Sequence, residues 1–282
     1  MYQRSSAPLL GTFSIAARDE ATGMLGVAVT SKAFSVGMLC PFVRAGVGAV
    51  ATQSIVNPSL GPVIIDFLAQ GLEPEAALAA ALATDPRPDL RQLNVVDAAG
   101  RSVSFTGERC IPWCGGRMAP DYALAGNILT GEAVVEAMER AFVAGGLAPS
   151  DVKAADGGRA FAGRLLDVLD AGQAAGGDAR GKQSAALLVV HRTAVPYLRL
   201  QVEDHPEPLA ELRRLFDLAG EDDPDEHGSY LDFFAGVAAH EGFTEAIDDT
   251  ALAAEVAAAW ARLEAAARSD AASSGPRPKD QG

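Results

Sequence analysis

Along this chain β-prone and helical patterns come in alternating blocks, and the order of the blocks most constrains the fold. Residues 13–18 and 25–31 are β-prone runs joined by a polar turn that ends at Gly23, the pattern of a hairpin. Residues 46–53 form a third run whose small side chains imply close packing of layers. Residues 59–70 and 73–84 predict helices, the second alanine-rich and with Pro74 where a first turn tolerates it. A second hairpin follows at 93–97 and 101–106, then a strand over 122–129. Residues 132–143 and 160–169 predict another helix pair across a polar connector near 148–158. The run 183–191 is almost continuously apolar, the mark of a strand buried on both faces. Residues 198–203 alternate and pair with it, and 209–218 close the set as a helix. This order predicts an α+β fold of two sheets stacked face to face with helices outside, rather than a parallel βαβ series.

The composition of the 282 residues is 49% apolar, enough for a sizeable core, and the net charge is −14 with no basic block. Phosphate-backbone binding needs clustered Lys and Arg, so nucleic acid is excluded as a partner. The same field disfavours an anionic membrane surface, and no apolar run approaches the ~20 residues of a membrane span. Residues 1–10 carry one Arg and no long apolar stretch, unlike a secretory signal, so the expected location is cytoplasmic. Cys40, Cys110 and Cys114 are too few and odd in number for a disulfide framework. Cys110 and Cys114 have no second Cys or His pair to complete a zinc site, so neither metal nor cofactor is expected.

Chemistry enters at Gly11-Thr12, at the mouth of the first strand. Cleavage between them would leave a threonine carrying hydroxyl and amine on one residue. An α-amine has a pKa near ~8, far below that of lysine, so it takes the hydroxyl proton at neutral pH. Nucleophile and base then share a residue, a known variant of triad logic. Thr is also a common strand residue and Gly a common strand opener, so the pair alone is equally at home in plain structure.

Eight segments occur in order: TFSIAARD at 12–19, LGVAVTS at 25–31, AGVGAVATQ at 45–53, NPSLG at 57–61, TGERCIPW at 106–113, GNIL at 126–129, GDARGKQS at 177–184 and EDHPEP at 203–208. As a set they closely resemble the bacterial family called domain of unknown function 1028, grouped with the N-terminal-nucleophile (Ntn) hydrolases. The resemblance spans about residues 11–218. It implies a four-layer αββα sandwich of two antiparallel sheets and, by superfamily analogy, hydrolysis of an amide bond; such analogy names no substrate. The resemblance implies that many relatives place the threonine almost directly after the initiator Met, whereas eleven residues precede Thr12 here, so either a leader, 1–11, is cut or the start is assigned too early.

Within the resemblance Thr12 is the nucleophile. Proteasome-like relatives keep a carboxylate and a lysine nearby; here the second strand ends in Thr30-Ser31-Lys32 without an acid, and the next basic residue is Arg44. Lys32 or Arg44 would hold the amine neutral, or simply face solvent. Asn127, between a strand and a helix, is the candidate oxyanion donor, or else serves the turn. Asp178 and Arg180 lie in a glycine-rich loop, where the guanidinium would grip a substrate carboxylate or form an ion pair that ties the loop. Gln53 and Asn57 would hydrogen-bond an amide substrate or fix the Asn57-Pro58 turn. Cys110 is the competing thiol nucleophile, with no His near it in sequence and His205 its base if folding brings the two together; a packed, inert cysteine is the plainer reading.

The expected organisation is a leader (1–11), an Ntn-hydrolase-like domain (12–220), an alanine-rich helical extension (221–268) and a polar, disordered tail (269–282). Three functions compete: an amidohydrolase acting on a small carboxylated amide, a non-catalytic small-molecule-binding protein on the same scaffold, and an assembly protein joined through its alanine-rich end. A homo-oligomer is expected.

Overall fold

The computed structural model describes residues 11–145, 157–193 and 195–220, and the backbone of short strands at 222–223 and 228–229. All belong to the first of the two units into which the chain divides, Met1–Ala239; the second, His240–Gly282, has no described residue, and the predicted C-terminal helices, beyond residue 229, lie outside the described residues. The described residues form an α+β fold of two large antiparallel sheets and five α-helices.

The strands are β1 (Thr12–Arg18), β2 (Leu25–Ser31), β3 (Pro41–Arg44), β4 (Gly48–Ser54), β5 (Arg91–Asp97), β6 (Ser102–Thr106), β7 (Gly115–Ala119), β8 (Tyr122–Asn127), β9 (Ser184–Val190) and β10 (Leu198–Val202). The pairs β11 (Asp222–Asp223) and β12 (Gly228–Ser229) make a separate ladder. The helices are α1 (Leu60–Ala69), α2 (Pro74–Leu82), α3 (Ala133–Ala144), α4 (Gly157–Ala174) and α5 (Pro208–Ala219). The larger sheet runs β10-β9-β2-β1-β8-β7 and the smaller β3-β4-β5-β6.

Period-2 alternation sorts each strand between two environments. Phe13, Ile15, Leu124 and Leu187 face α3, α4 and α5, meeting Met138, Leu165, Leu169 and Leu212 in one cluster. Val50, Leu93 and Val95 meet Ile64, Leu68 and Leu78 of α1 and α2 in another. A third cluster joins the sheets to each other: Ala16, Leu25, Val27, Val29, Ala123 and Ala186 of the larger against Ala49, Ala51 and Val96 of the smaller. The small residues of the run at 46–53 therefore do serve close packing, as Ala49 and Ala51 at the sheet–sheet contact.

Both predicted hairpins form, β1–β2 and β5–β6, the first turned by Asp19, whose carboxylate accepts the Thr22 N–H at 3.0 Å. The run 183–191 becomes β9, paired with β10 as expected. Four strands went unpredicted: the two-residue β11 and β12, at the start of the extension expected to be helical, and β3 and β7 of the large sheets. β3 is four residues long and opens on proline, and β7 reads GGRMA; each lies at a sheet edge, where pairing on one side suffices and propensity carries little information. Helix α4 reaches further than predicted, taking in Gly157 at its start and Ala174 at its end.

Candidate functional site

The site grows out of the β1–β2 hairpin. Its register places Thr12 opposite Ser31, while β8 places Asn127 opposite Thr12 on the other side. β9 adds Ser184 opposite Ser31. Ser184, Ser31, Thr12 and Asn127 thus form a row across four neighbouring strands. By alternation the row shares its face with Ala16, Val29 and Ala186, so it lies at the end of the layer between the sheets. All four residues are buried.

Hydroxyls and a carbonyl are linked here. Thr12 Oγ1 donates to Ser31 Oγ at 3.1 Å, and Ser31 Oγ donates to the Gly11 carbonyl at 2.5 Å. Arg180 Nη2 donates to the same carbonyl at 3.0 Å. The oxygen of the peptide that joins Gly11 to Thr12 therefore has two donors, one of them charged, and charge-assisted bonds are the stronger kind.

Asp178 fixes the guanidinium. Its Oδ1 accepts from Arg180 N and Nε, its Oδ2 from Arg180 Nη2 at 2.7 Å and from the Lys32 N–H at 3.2 Å. The loop carrying both is tied to the end of β8, since Ala179 N donates to Ile128 O and Thr130 N to Gly177 O. A fork held by a buried carboxylate has little freedom left.

Asn127 sits in a second, amide-rich network shared by the two sheets. Its Nδ2 donates to Gln92 Oε1 at 3.0 Å, which also accepts from Gln53 Nε2 at 2.8 Å. Gln92 Nε2 in turn donates to Gly126 O and Thr106 Oγ1, so its oxygen must face Asn127. Ser14 Oγ donates to Gln53 Oε1, and Asn94 bridges Ser14 and Ser104. Asn127 therefore spends one of its two amide N–H groups on Gln92, and its Oδ1 is buried without a hydrogen-bond partner. Asn127 stands opposite Thr12 on β8, and its second N–H is the one that the oxyanion role suggested by the sequence would use.

The remaining candidates disperse. Lys32 brings its backbone N–H to Asp178, but its exposed side chain reaches the Lys182 carbonyl. Arg44 pairs with Asp66 of α1 at 2.8 Å on the surface, at the opposite end of β4 from Gln53. Gln53 joins the buried network. Asn57 instead donates to Asp85 and accepts the Ser59 N–H, the turn-fixing role. Asp85 is further held by Arg91; burial pulls its carboxyl up, but hydrogen bonds from Arg91, Asn57 and the Arg87 N–H leave it below the ordinary carboxylate range. Cys110 is buried, and burial pushes its thiol up, away from the thiolate a nucleophile needs. The His205 ring accepts the Glu207 N–H.

Sequence reasoning missed Ser31, Ser14 and Gln92. Ser31 was within reach, because counting outward from the centre of the 19–24 turn pairs it with Thr12. Gln92 had no local signal, since it meets Asn127 only across the sheets. Among the described residues no group of three or more His, Cys, Asp or Glu could hold a metal ion, and no helix is long and apolar enough to cross a membrane.

An α+β scaffold of two antiparallel sheets, with a threonine-centred polar cluster buried between them, is the class these observations define. The chain belongs to a family of unknown function, DUF1028, whose model matches residues 12–212. The crystal structure of protein SPO2555 from Silicibacter pomeroyi, of the same family, is similar at 29% identity and a TM-score of 0.66, over 81% of this chain and 93% of that one. A Gly-1 mutant of Anbu from Hyphomicrobium sp. strain MC1 aligns over 83% of this chain and all of its own, at 12% identity and a TM-score of 0.30, too low to carry an argument. A search of curated proteins finds no match.

Proposed function

We propose that this protein is an Ntn-type amidohydrolase that cleaves a non-peptide amide C–N bond of a small substrate through Thr12, once the residues before it are removed. The observation that carries the reading is the setting of the Gly11–Thr12 peptide: hydroxyl beside it, and two donors on the carbonyl oxygen where negative charge would develop. The sheets, joined by an apolar layer and lined on their other faces by α1–α2 and α3–α5, fit the αββα layering of that superfamily. The family match also opens on Thr12.

With Thr12 at the N-terminus, its amine takes the Oγ1 proton as the oxygen bonds to the substrate's carbonyl carbon. Ser31 Oγ and Arg180 Nη2 hold the oxyanion. The C–N bond then breaks, and the leaving nitrogen carries off the proton. Water adds to the resulting Thr12 ester, releases the acid and restores hydroxyl and amine. Lys32 Nζ reaches the Lys182 carbonyl and Arg44 pairs with Asp66; the α-amine, with its ordinary pKa near ~8, is the base. A substrate carboxylate on Arg180 would compete with Asp178, which already takes two guanidinium N–H groups; the geometry favours a carbonyl there.

Intact mass of the purified full chain tests the reading, together with hydrolysis of simple amides by the unaltered chain and Thr12→Ala. Loss of residues 1–11 and turnover that vanishes in Thr12→Ala is the expected result. A chain that keeps its leader and binds small amides without turning them over would leave the non-catalytic alternative standing.

A further inference from the structure

Gly11 does more than precede the nucleophile: it occupies the place an acyl group must take, with its carbonyl on Ser31 and Arg180. Its α-carbon shows what that place tolerates. A Cβ added to Gly11 would stand 2.5 Å from Arg180 Nη2, 2.6 Å from Asp178 Oδ2 and 2.9 Å from Arg180 Cζ. Ordinary carbon contacts begin near ~3.5 Å, so the space is closed to a methyl group.

A wall made by the end of a long side chain normally gives way. This one is braced. The Asp178 carboxylate is 2% exposed and accepts four N–H groups, from Arg180 N, Nε and Nη2 and from Lys32 N. Its loop is also paired to the end of β8 by a bridge between Leu129 and Asp178. Moving Arg180 to admit a methyl would break the ion pair and take a donor off the carbonyl that must be activated. Space and catalysis therefore depend on the same guanidinium.

Resting on the hydrolase reading, we propose that the site selects amides whose acyl part is unbranched next to the carbonyl, glycyl or acetyl units, and rejects L-alanyl and larger α-substituted acyl groups. The wall formed by Asp178 and Arg180 is the specificity determinant. The same wall makes glycine obligatory at position 11 for removal of the leader.

The test compares glycine 4-nitroanilide, 4-nitroacetanilide and L-alanine 4-nitroanilide, which share one leaving group, on the protein purified from the full chain. Intact mass is read in parallel for the unaltered chain and Gly11→Ala. The expected result is turnover of the first two, kcat/KM at least ~10²-fold lower for the alanyl compound, and retention of residues 1–11 in Gly11→Ala alone. Comparable rates for glycyl and alanyl compounds, both lost in Thr12→Ala, would overturn the wall while leaving the hydrolase intact. Leader loss in Gly11→Ala at the unaltered rate would do the same. If the unaltered chain neither loses its leader nor cleaves any of the three, the hydrolase reading fails and the specificity proposal with it.

Discussion

The layer between the two sheets has two ends built to different rules. At one end Leu25, Val27, Val29, Ala49, Ala51 and Val96 meet as small and branched apolar side chains. At the other, along the same strands and on the same face, stand Ser31, Thr12, Ser14, Asn127, Gln53, Gln92 and Asn94, equally buried. Fully burying a Leu or Val contributes about 1.5–3 kcal/mol. A buried amide contributes about 1 kcal/mol net when paired and costs more than that when not. The polar end thus gives up stability that the apolar end supplies. In return its partners are directional: each amide fixes the next, and the chain of contacts ends on Asn127, opposite Thr12 in the register, whose Oδ1 has no partner. One end of the layer holds the sheets together; the other fixes their relative position at the atoms that matter.

Several substitutions would sharpen or break this contrast. Thr12→Ala has the largest expected effect, a fall in amide turnover of ~10⁴-fold or more with the protein still folded; Thr12→Ser retains part of the rate because the oxygen survives. Turnover that persists in Thr12→Ala would remove the chemistry from the polar end altogether.

Next come stability losses. Asp85, its side chain fully buried, clasps Arg91 and Asn57 at the rim of the smaller sheet. Asp85→Asn breaks that clasp at a cost of about 3–5 kcal/mol, read by denaturant unfolding at neutral pH. Because the folded carboxyl sits below its unfolded pKa of ~3.9, its stabilisation is complete above that value and is lost as pH falls through the lower folded one. Unfolding free energy measured from pH 6 down to pH 2 should therefore fall less steeply in Asp85→Asn. A parallel profile would show that the clasp contributes nothing.

In the apolar end Leu25→Ala should cost about 2–5 kcal/mol and leave the KM of any amide substrate unaltered. Gln92→Leu, similar in volume, strands Gln53 Nε2 and Asn127 Nδ2, and its cost of about 1–3 kcal/mol should come with a lower kcat, since Asn127 is freed to turn. If Gln92→Leu stabilises the protein and turnover is unaffected, the polar end is only an expensive core. Smallest of all is Cys110→Ser, expected to leave turnover unchanged; a large loss there would revive the thiol scheme.

What the sequence determined by itself is local or periodic. The two hairpins, the helix pairs and the doubly buried strand β9 were legible because turn residues and apolar spacing act within a few residues. So was Thr12 at the mouth of β1, and even Ser31 follows from the arithmetic of one hairpin. The edge strands β3 and β7 were not, because a strand paired on one side needs little propensity of its own. Tertiary structure alone decided the rest. It brought Gln92 and Gln53 to Asn127 across the sheets, carried Arg180 over more than a hundred and sixty residues of chain to the Gly11 carbonyl, and sent Arg44 to Asp66 instead. Side-chain direction at a strand end depends on which sheet closes over it, and no spacing within a single segment records that.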